Sequence, residues 1–271
     1  MTLPWYTMLQ PELLQELRLL HSAQATIKPP EDNSEFGQYI GRKSGWQPAH
    51  YQDTRFKPSG AGTHIALQKA MALALELEVP VGLFTLAATK RDFTNEQRWA
   101  LLSNSADELV HYEALSNWMA GGAYIEPEYL DQARQYRMAI EQLEEHEVVK
   151  SGYVELGVFF IVLALFRKFG DPSLKLLASD ISRDEATHVL TNWAIIEANE
   201  IPWAASKLND MRRELIHWLT SDIKNERYGY DFWEDQSQRL ISTKQADGLK
   251  FTKTGMYSAF FEVANTSLAS Y

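Results

Sequence analysis

Two short stretches of the chain each place a glutamate and a histidine three residues apart, directly after an aspartate. The first contains Asp107, Glu108 and His111, and the second contains Asp184, Glu185 and His188. Residues at positions i and i+3 of an α-helix project from the same face, so each Glu–His pair can bind one metal ion. Two such pairs on two helices predict a site for two ions.

The two motifs belong to a longer internal repeat. They are offset by 77 residues, and the same offset pairs Glu78 with Glu155, each in an apolar stretch. It also pairs Thr94 with Asp171, and both residue types are favoured as helix N-caps. Each half is therefore predicted to contain a helix with one Glu, a short turn and a helix with Glu and His. We interpret the repeat as two antiparallel helix pairs related by an approximate duplication.

Hydrophobic periodicity predicts an all-α protein. The predicted core helices span about residues 63–89, 94–119, 127–169, 171–199 and 203–227. The first is apolar on nearly every face, which is typical of a central helix, and Pro80 is expected to kink it. A bend is expected at Ser151 and Gly152 in the third. Long helices joined by short turns indicate a helical bundle.

The length of the chain suits one large domain with additions to the bundle. Residues 1–62 are predicted to form an N-terminal arm and helix packed on the bundle, with Trp46, Tyr51 and Phe56 as anchors. Residues 63–199 form the predicted metal-binding bundle. Residues 200–271 are predicted to add a C-terminal helix and tail to the same domain.

Composition excludes several classes of function. The net charge of −10 argues against nucleic acid as the main partner. The chain has no cysteine, which excludes disulfides, Cys-ligated zinc and Fe–S clusters. The N-terminus lacks the pattern of a signal peptide, and the longest apolar run, residues 156–166, is too short to span a bilayer. We therefore expect a cytoplasmic protein without a membrane partner.

The arrangement of one Glu on each of two helices and Glu-x-x-His on each of two others resembles the ferritin-like di-iron carboxylate superfamily. This group includes ribonucleotide reductase small subunits, multicomponent monooxygenase hydroxylases, rubrerythrins and manganese catalases. The resemblance covers about residues 63–199 and implies a ferritin-like four-helix bundle with extra N- and C-terminal helices and arms. The implied metal ligands are Glu78, Glu108, His111, Glu155, Glu185 and His188.

Each assignment has a simpler alternative. A single Glu-x-x-His is usually a solvated polar pair, but two copies at matched distances after an apolar helix with a Glu are more specific. On the first helix Glu76 is the alternative ligand, and the repeat register favours Glu78. Asp107 and Asp184 could cap or solvate a helix; we expect each to accept the free ring N–H of a ligand His across the helix pair.

The resemblance implies a non-haem di-iron oxygenase or oxidase that activates O2 to oxidise a small or medium organic substrate. Two Fe ions are the expected cofactor, and Mn or a mixed Mn/Fe pair suits the same ligands. An external electron donor is expected because no Cys-bound redox module is present, and family habit suggests a homodimer. Leu115 and Asn192 lie one turn beyond the two His residues, so no radical-bearing Tyr is expected there.

Three alternatives use the same bundle. The first is peroxide removal of the rubrerythrin or manganese-catalase type. The second is non-catalytic iron binding or storage of the ferritin type, and the third is a metal-free scaffold. The long segments outside the bundle favour an enzyme over storage, and the intact ligand set argues against a scaffold.

Overall fold

The structure is a computed structural model and describes residues 64–224 and 226–242, together with Gln15 and Phe36. Its helices are α1 (Ile65–Ala88), α2 (Asn95–Ala120), α3 (Pro127–Glu141), α4 (Glu147–Val154), α5 (Phe160–Phe169), α6 (Pro172–Ala198), α7 (Ser206–Thr220) and α8 (Tyr230–Ser242). A π-helical turn, Glu155–Phe159, joins α4 to α5, and a 3₁₀ turn, Glu226–Tyr228, precedes α8. The described part of the chain contains no strand, which confirms the all-α prediction.

Helix α1 is the centre of the fold. It packs against α2, α3, α4 and α5, and α6 packs against α2, α4 and α5. Side chains on every face of α1 are buried, as its apolar sequence predicts. Phe36 is buried in the same core, whereas the predicted anchors Trp46, Tyr51 and Phe56 and the rest of the N-terminal arm lie outside the described residues.

Both predicted N-caps at the start of the ligand-bearing helices are confirmed. The Thr94 hydroxyl accepts a hydrogen bond from the backbone N–H of Gln97, and the Gln97 side chain accepts one from the Thr94 backbone, which forms a capping box. Asp171 Oδ1 accepts from the Leu174 backbone N–H at 2.8 Å and from the Trp118 indole at 3.1 Å. These caps fix where α2 and α6 begin and so fix the register of their metal-binding motifs.

The predicted third helix over 127–169 is wrong as a single element. Helix α3 ends at Glu141, and a new helix begins after His146, whose Nδ1 accepts a hydrogen bond from the Val148 backbone N–H. Arg91 pairs with Glu147 in the first turn of α4 and attaches this start to the loop after α1. The irregular turn also lies at Glu155–Phe159 rather than at Ser151, which is helical.

The C-terminal prediction also needs correction. The fifth predicted helix is shorter than 203–227, since α7 begins at Ser206 and ends at Thr220. The aromatic-rich segment that follows contains α8, which periodicity did not indicate. Helices α7 and α8 both pack on the π-helical turn. There the Ser237 hydroxyl donates a hydrogen bond to the Gly157 carbonyl at 2.7 Å.

Two of the described helical segments, Ile65–Ala88 and Glu147–Phe169, are long and apolar enough to cross a membrane. Their most apolar windows are 83% and 100% buried inside the fold. Core helices of globular proteins share this length and composition, so the two segments are weak evidence for membrane spans.

Removal of the α6 N-cap should destabilise the fold measurably. We expect Asp171→Ala to lower the free energy of unfolding by about 1–2 kcal/mol, because the first turn of α6 loses its side-chain acceptor and the Trp118 indole keeps only the Ser173 hydroxyl. Asp171→Asn retains an oxygen at Oδ1 and should lose clearly less. Urea denaturation measures both variants, and a wild-type stability of Asp171→Ala would contradict the contribution of the cap.

Candidate metal centre

The structure brings all six predicted ligands together in the buried core between the packed helices. Glu78 lies on α1, Glu108 and His111 on α2, Glu155 at the first position of the π-helical turn, and Glu185 and His188 on α6. Each side chain is at most 2% exposed. Their ligand atoms form two groups, and within each group the atoms lie within 4.8 Å of one another. Each group could hold a metal ion.

The two groups share Glu108 and Glu185. One consists of these two carboxylates with Glu78 and His111, and the other of the same two with Glu155 and His188. We call the Glu78–His111 end the Glu78 pole and the Glu155–His188 end the Glu155 pole. Because Glu108 and Glu185 belong to both groups, each could contact an ion at either pole.

Distances within the cluster agree with this division. His111 Nδ1 lies 3.4 Å from Glu78 Oε2, 3.4 Å from Glu108 Oε2 and 3.5 Å from Glu185 Oε1. His188 Nδ1 lies 2.9 Å from Glu108 Oε1 and 3.7 Å from Glu185 Oε2. The sixth carboxylate contact, Glu155 Oε1 to His188 Nδ1, is 3.8 Å. The Nδ1 atoms of both rings therefore face the shared carboxylates.

The two aspartates lie behind the histidine rings. Asp184 Oδ2 on α6 is 3.3 Å from His111 Nε2 on α2, and Asp107 Oδ2 on α2 is 3.0 Å from His188 Nε2 on α6. These reciprocal bonds cross the helix pair as the sequence predicts. An aspartate at Nε2 favours a proton there and leaves Nδ1 as a lone-pair donor towards the centre of the cluster.

The cluster contains buried acceptors without donors. Within the described residues, both oxygens of Glu108, both oxygens of Glu185 and Oε2 of Glu78 have no well-aligned hydrogen-bond donor, and the polar atoms that face them are the Nδ1 atoms of the two imidazoles. Unsatisfied buried acceptors of this kind are costly, and so many in one place require compensation. Oxygen and imidazole donors around an enclosed space fit hard or borderline divalent ions, and four carboxylates balance the charge of two such ions.

Electrostatics show how the metal-free cluster is compensated. Burial raises the pKa of Glu155 to about 8 and raises the pKa of Glu78 well above its usual value. Burial opposes ionisation of Glu108 as well, but the two imidazoles beside it outweigh burial and hold its pKa below the usual value. Burial would lower the pKa of His111 and His188, yet the surrounding carboxylates raise both well above the usual value. Protons therefore supply positive charge where ions are absent.

The alternative ligand Glu76 lies outside both groups. Its Oε2 accepts a hydrogen bond from Arg137 Nε at 3.0 Å, and Oε1 lies 3.5 Å from Arg134 Nε. Residues two apart on an α-helix point about 200° away from each other, so Glu76 and Glu78 cannot face the same site. Glu76 is itself buried and instead joins α1 to α3 through ion pairs with Arg134 and Arg137.

Two polar residues at the Glu155 pole were missed as site residues in the sequence. Ser151 donates a hydrogen bond from its hydroxyl to Glu155 Oε1 at 2.9 Å, and Asn192 donates from Nδ2 to Glu155 Oε2 at 2.7 Å and to the Ser151 hydroxyl at 3.1 Å. A signal was present, because Ser151 is four residues before Glu155 and Asn192 four residues after His188. Residues at this spacing share a helix face with the ligand.

Comparisons of the chain with protein-family models, with curated proteins and with solved structures gave no match.

In the metal-free protein, Glu155 should make folding dependent on pH. Its folded-state pKa of about 8 exceeds the ordinary value of 4.5. Its contribution to stability is therefore fully present below about pH 4.5 and is lost as the pH rises through about 8. Relative to Glu155→Gln, the free energy of unfolding of the wild type should fall across this window by up to a few kcal/mol.

Urea denaturation of chelator-treated protein at several pH values measures this difference. The exposed Glu214→Gln is the matched control and should follow the wild-type profile. Addition of Mn(II) should remove the decline in the wild type. Parallel profiles for the wild type and Glu155→Gln would contradict the raised pKa.

Proposed function

We propose that the chain is a ferritin-like dinuclear carboxylate protein and acts as a non-haem di-iron oxygenase or oxidase. The observation that carries this proposal is the pair of buried ligand groups that share Glu108 and Glu185. Shared ligands favour two ions over one. A single ion at either pole would leave the Glu and His of the other pole without an ion to bind. The helical packing around the cluster and the order of ligands along the chain support the ferritin-like assignment.

The donor set supports iron, with Mn or a mixed pair as the alternative. Carboxylate oxygens and neutral imidazoles suit Fe and Mn, and the chain has no thiolate to favour softer ions. Two Fe(II) ions held here would supply two of the four electrons that complete reduction of O2 to water requires, and the organic substrate or the external donor would supply the other two. Glu108 and Glu185 would hold the ions close together, and the Asp184 and Asp107 carboxylates would fix the orientation of the ligand rings.

The surroundings of the cluster support catalysis more than storage. All six ligands are enclosed by apolar helices, which exclude bulk water from the reacting centre. Helices α7 and α8 add a layer against the π-helical turn that carries Glu155. An irregular ligand helix with a dedicated support is typical of a functional site. O2, a small or medium organic substrate and an external electron donor are the proposed partners, in the cytoplasm and without nucleic acid or membrane.

Iron loading and reaction with O2 test the proposal. Chelator-treated protein is loaded with Fe(II) under anaerobic conditions, desalted, analysed for iron and then mixed with O2 in a stopped-flow spectrometer. We expect about two irons per chain and a transient visible absorption band. Two bound ions with no response to O2, but with rapid loss of added peroxide, would favour a peroxide-removing enzyme instead.

Ligand variants identify the site. Glu185→Ala removes a ligand common to both groups and should lose both irons, and His188→Ala should lose at least the iron of the Glu155 pole, while circular dichroism shows the helices retained. Glu185→Gln preserves side-chain volume and should lose iron in the same way, which separates ligand loss from misfolding. The exposed His217→Ala and Glu214→Ala are controls and should bind the wild-type amount. A full iron complement in both Glu185 variants would contradict the assignment.

A further inference from the structure

We infer that Ser151 and Asn192 are positioning residues that make the two metal positions inequivalent, so that the Glu155 pole binds its ion first and more tightly. This inference rests on the proposed dinuclear site and concerns how that site loads. The internal repeat gives the two poles matching ligands. The inference follows from a difference in the side chains that support those ligands.

At the Glu155 pole, both carboxylate oxygens of the terminal ligand are held by side-chain donors. Ser151 binds one oxygen at 2.9 Å, Asn192 binds the other at 2.7 Å, and Asn192 also donates to Ser151 at 3.1 Å. Ser151 and Asn192 are at most 1% exposed. They lie on α4 and α6, so two helices fix the carboxylate from two directions.

The backbone of Glu155 is also supported from outside the repeat. Glu155 begins the π-helical turn, and Ser237 on α8 binds the Gly157 carbonyl of that turn. A Cβ added at Gly157 would lie 2.9 Å from Arg212 Cδ and 3.1 Å from Ile241 Cδ1. The turn that carries the ligand is therefore packed closely against α7 and α8.

At the Glu78 pole, the corresponding positions cannot provide such bonds. The 77-residue offset that aligns the ligands places Ala74 opposite Ser151 and Leu115 opposite Asn192. Both are buried, and neither side chain has a hydrogen-bond donor. Glu78 Oε2 has no well-aligned hydrogen-bond donor within the described residues. The contacts of the Glu78 carboxylate are to His111 and Glu108, which belong to the cluster itself, and the aligned positions Ala74 and Leu115 add no donor from outside the ligand set.

The difference predicts the order of binding. A ligand already held in place loses less conformational freedom when an ion binds than one that must first be ordered. Outer side chains that orient metal ligands typically affect metal affinity by about 10- to 100-fold. The Glu155 pole should therefore exceed the Glu78 pole in affinity by about this factor.

The test is a titration of chelator-treated protein with Mn(II) alone, in which free Mn(II) is measured by electron paramagnetic resonance. The wild type should bind two ions in two resolved steps. His188→Ala should lose the tighter step and His111→Ala the weaker one, which assigns each step to a pole. Loss of the same step in both variants would contradict that assignment.

Exchanging the supporting residues between the poles tests the cause. Ser151→Ala and Asn192→Leu introduce the residue types of the other pole and should weaken the tighter step by about 10- to 100-fold, with little change in the second. The reverse double change, Ala74→Ser with Leu115→Asn, should strengthen the weaker step. Ser151→Thr retains the hydroxyl and should keep the wild-type tighter step.

The outcomes separate this inference from the proposed function. Two equal sites in the wild type, or equal weakening of both steps in Ser151→Ala, would overturn the positioning role while leaving a dinuclear site intact. Failure of the wild type to bind Mn(II) at all, together with failure to bind Fe(II), would overturn the proposed function and this inference with it.

Discussion

Burial of four carboxylates inside an apolar helical core is the constraint on which the rest of the structure depends. Glu78, Glu108, Glu155 and Glu185 are each at most 2% exposed. Their charges cannot persist there without compensating positive charge. Protons on imidazole and carboxyl groups supply it in the metal-free protein, and divalent ions would supply it in the loaded one. Stability and metal content should therefore be linked through the same groups.

The two halves of the internal repeat supply matching ligands to the cluster, but the surroundings of those ligands differ at one position. Two capped helices carry the Glu–His motifs, and each supplies the aspartate that binds the histidine of the other. The two halves differ at Glu155. A π-helical turn, two polar side chains and α8 give this ligand a support that its counterpart Glu78 lacks. A symmetric set of ligands thus has asymmetric surroundings, which can give two ions different roles.

Much of the site could be predicted because its information is local. The i, i+3 spacing identifies the Glu–His pairs, and the constant offset identifies Glu78, Glu155 and the N-caps Thr94 and Asp171. Features that depend on tertiary partners could not be predicted in this way. The pairing of Glu76 with arginines of α3 is one such feature, and the break after α3, which a histidine cap and an ion pair to a distant loop explain, is another. The π-helical turn could not be predicted either, because a single such turn leaves the hydrophobic pattern of the sequence like that of an α-helix.

The low-temperature electron paramagnetic resonance spectrum of protein loaded with two equivalents of Mn(II) tests directly for a dinuclear centre. Two ions that shared Glu108 and Glu185 would be close enough to be exchange-coupled. We expect the six-line signal of isolated Mn(II), present at low loading, to be replaced at full loading by a coupled multiline spectrum. Two bound ions that retain the full six-line intensity of separate Mn(II) would contradict a carboxylate-bridged dinuclear centre.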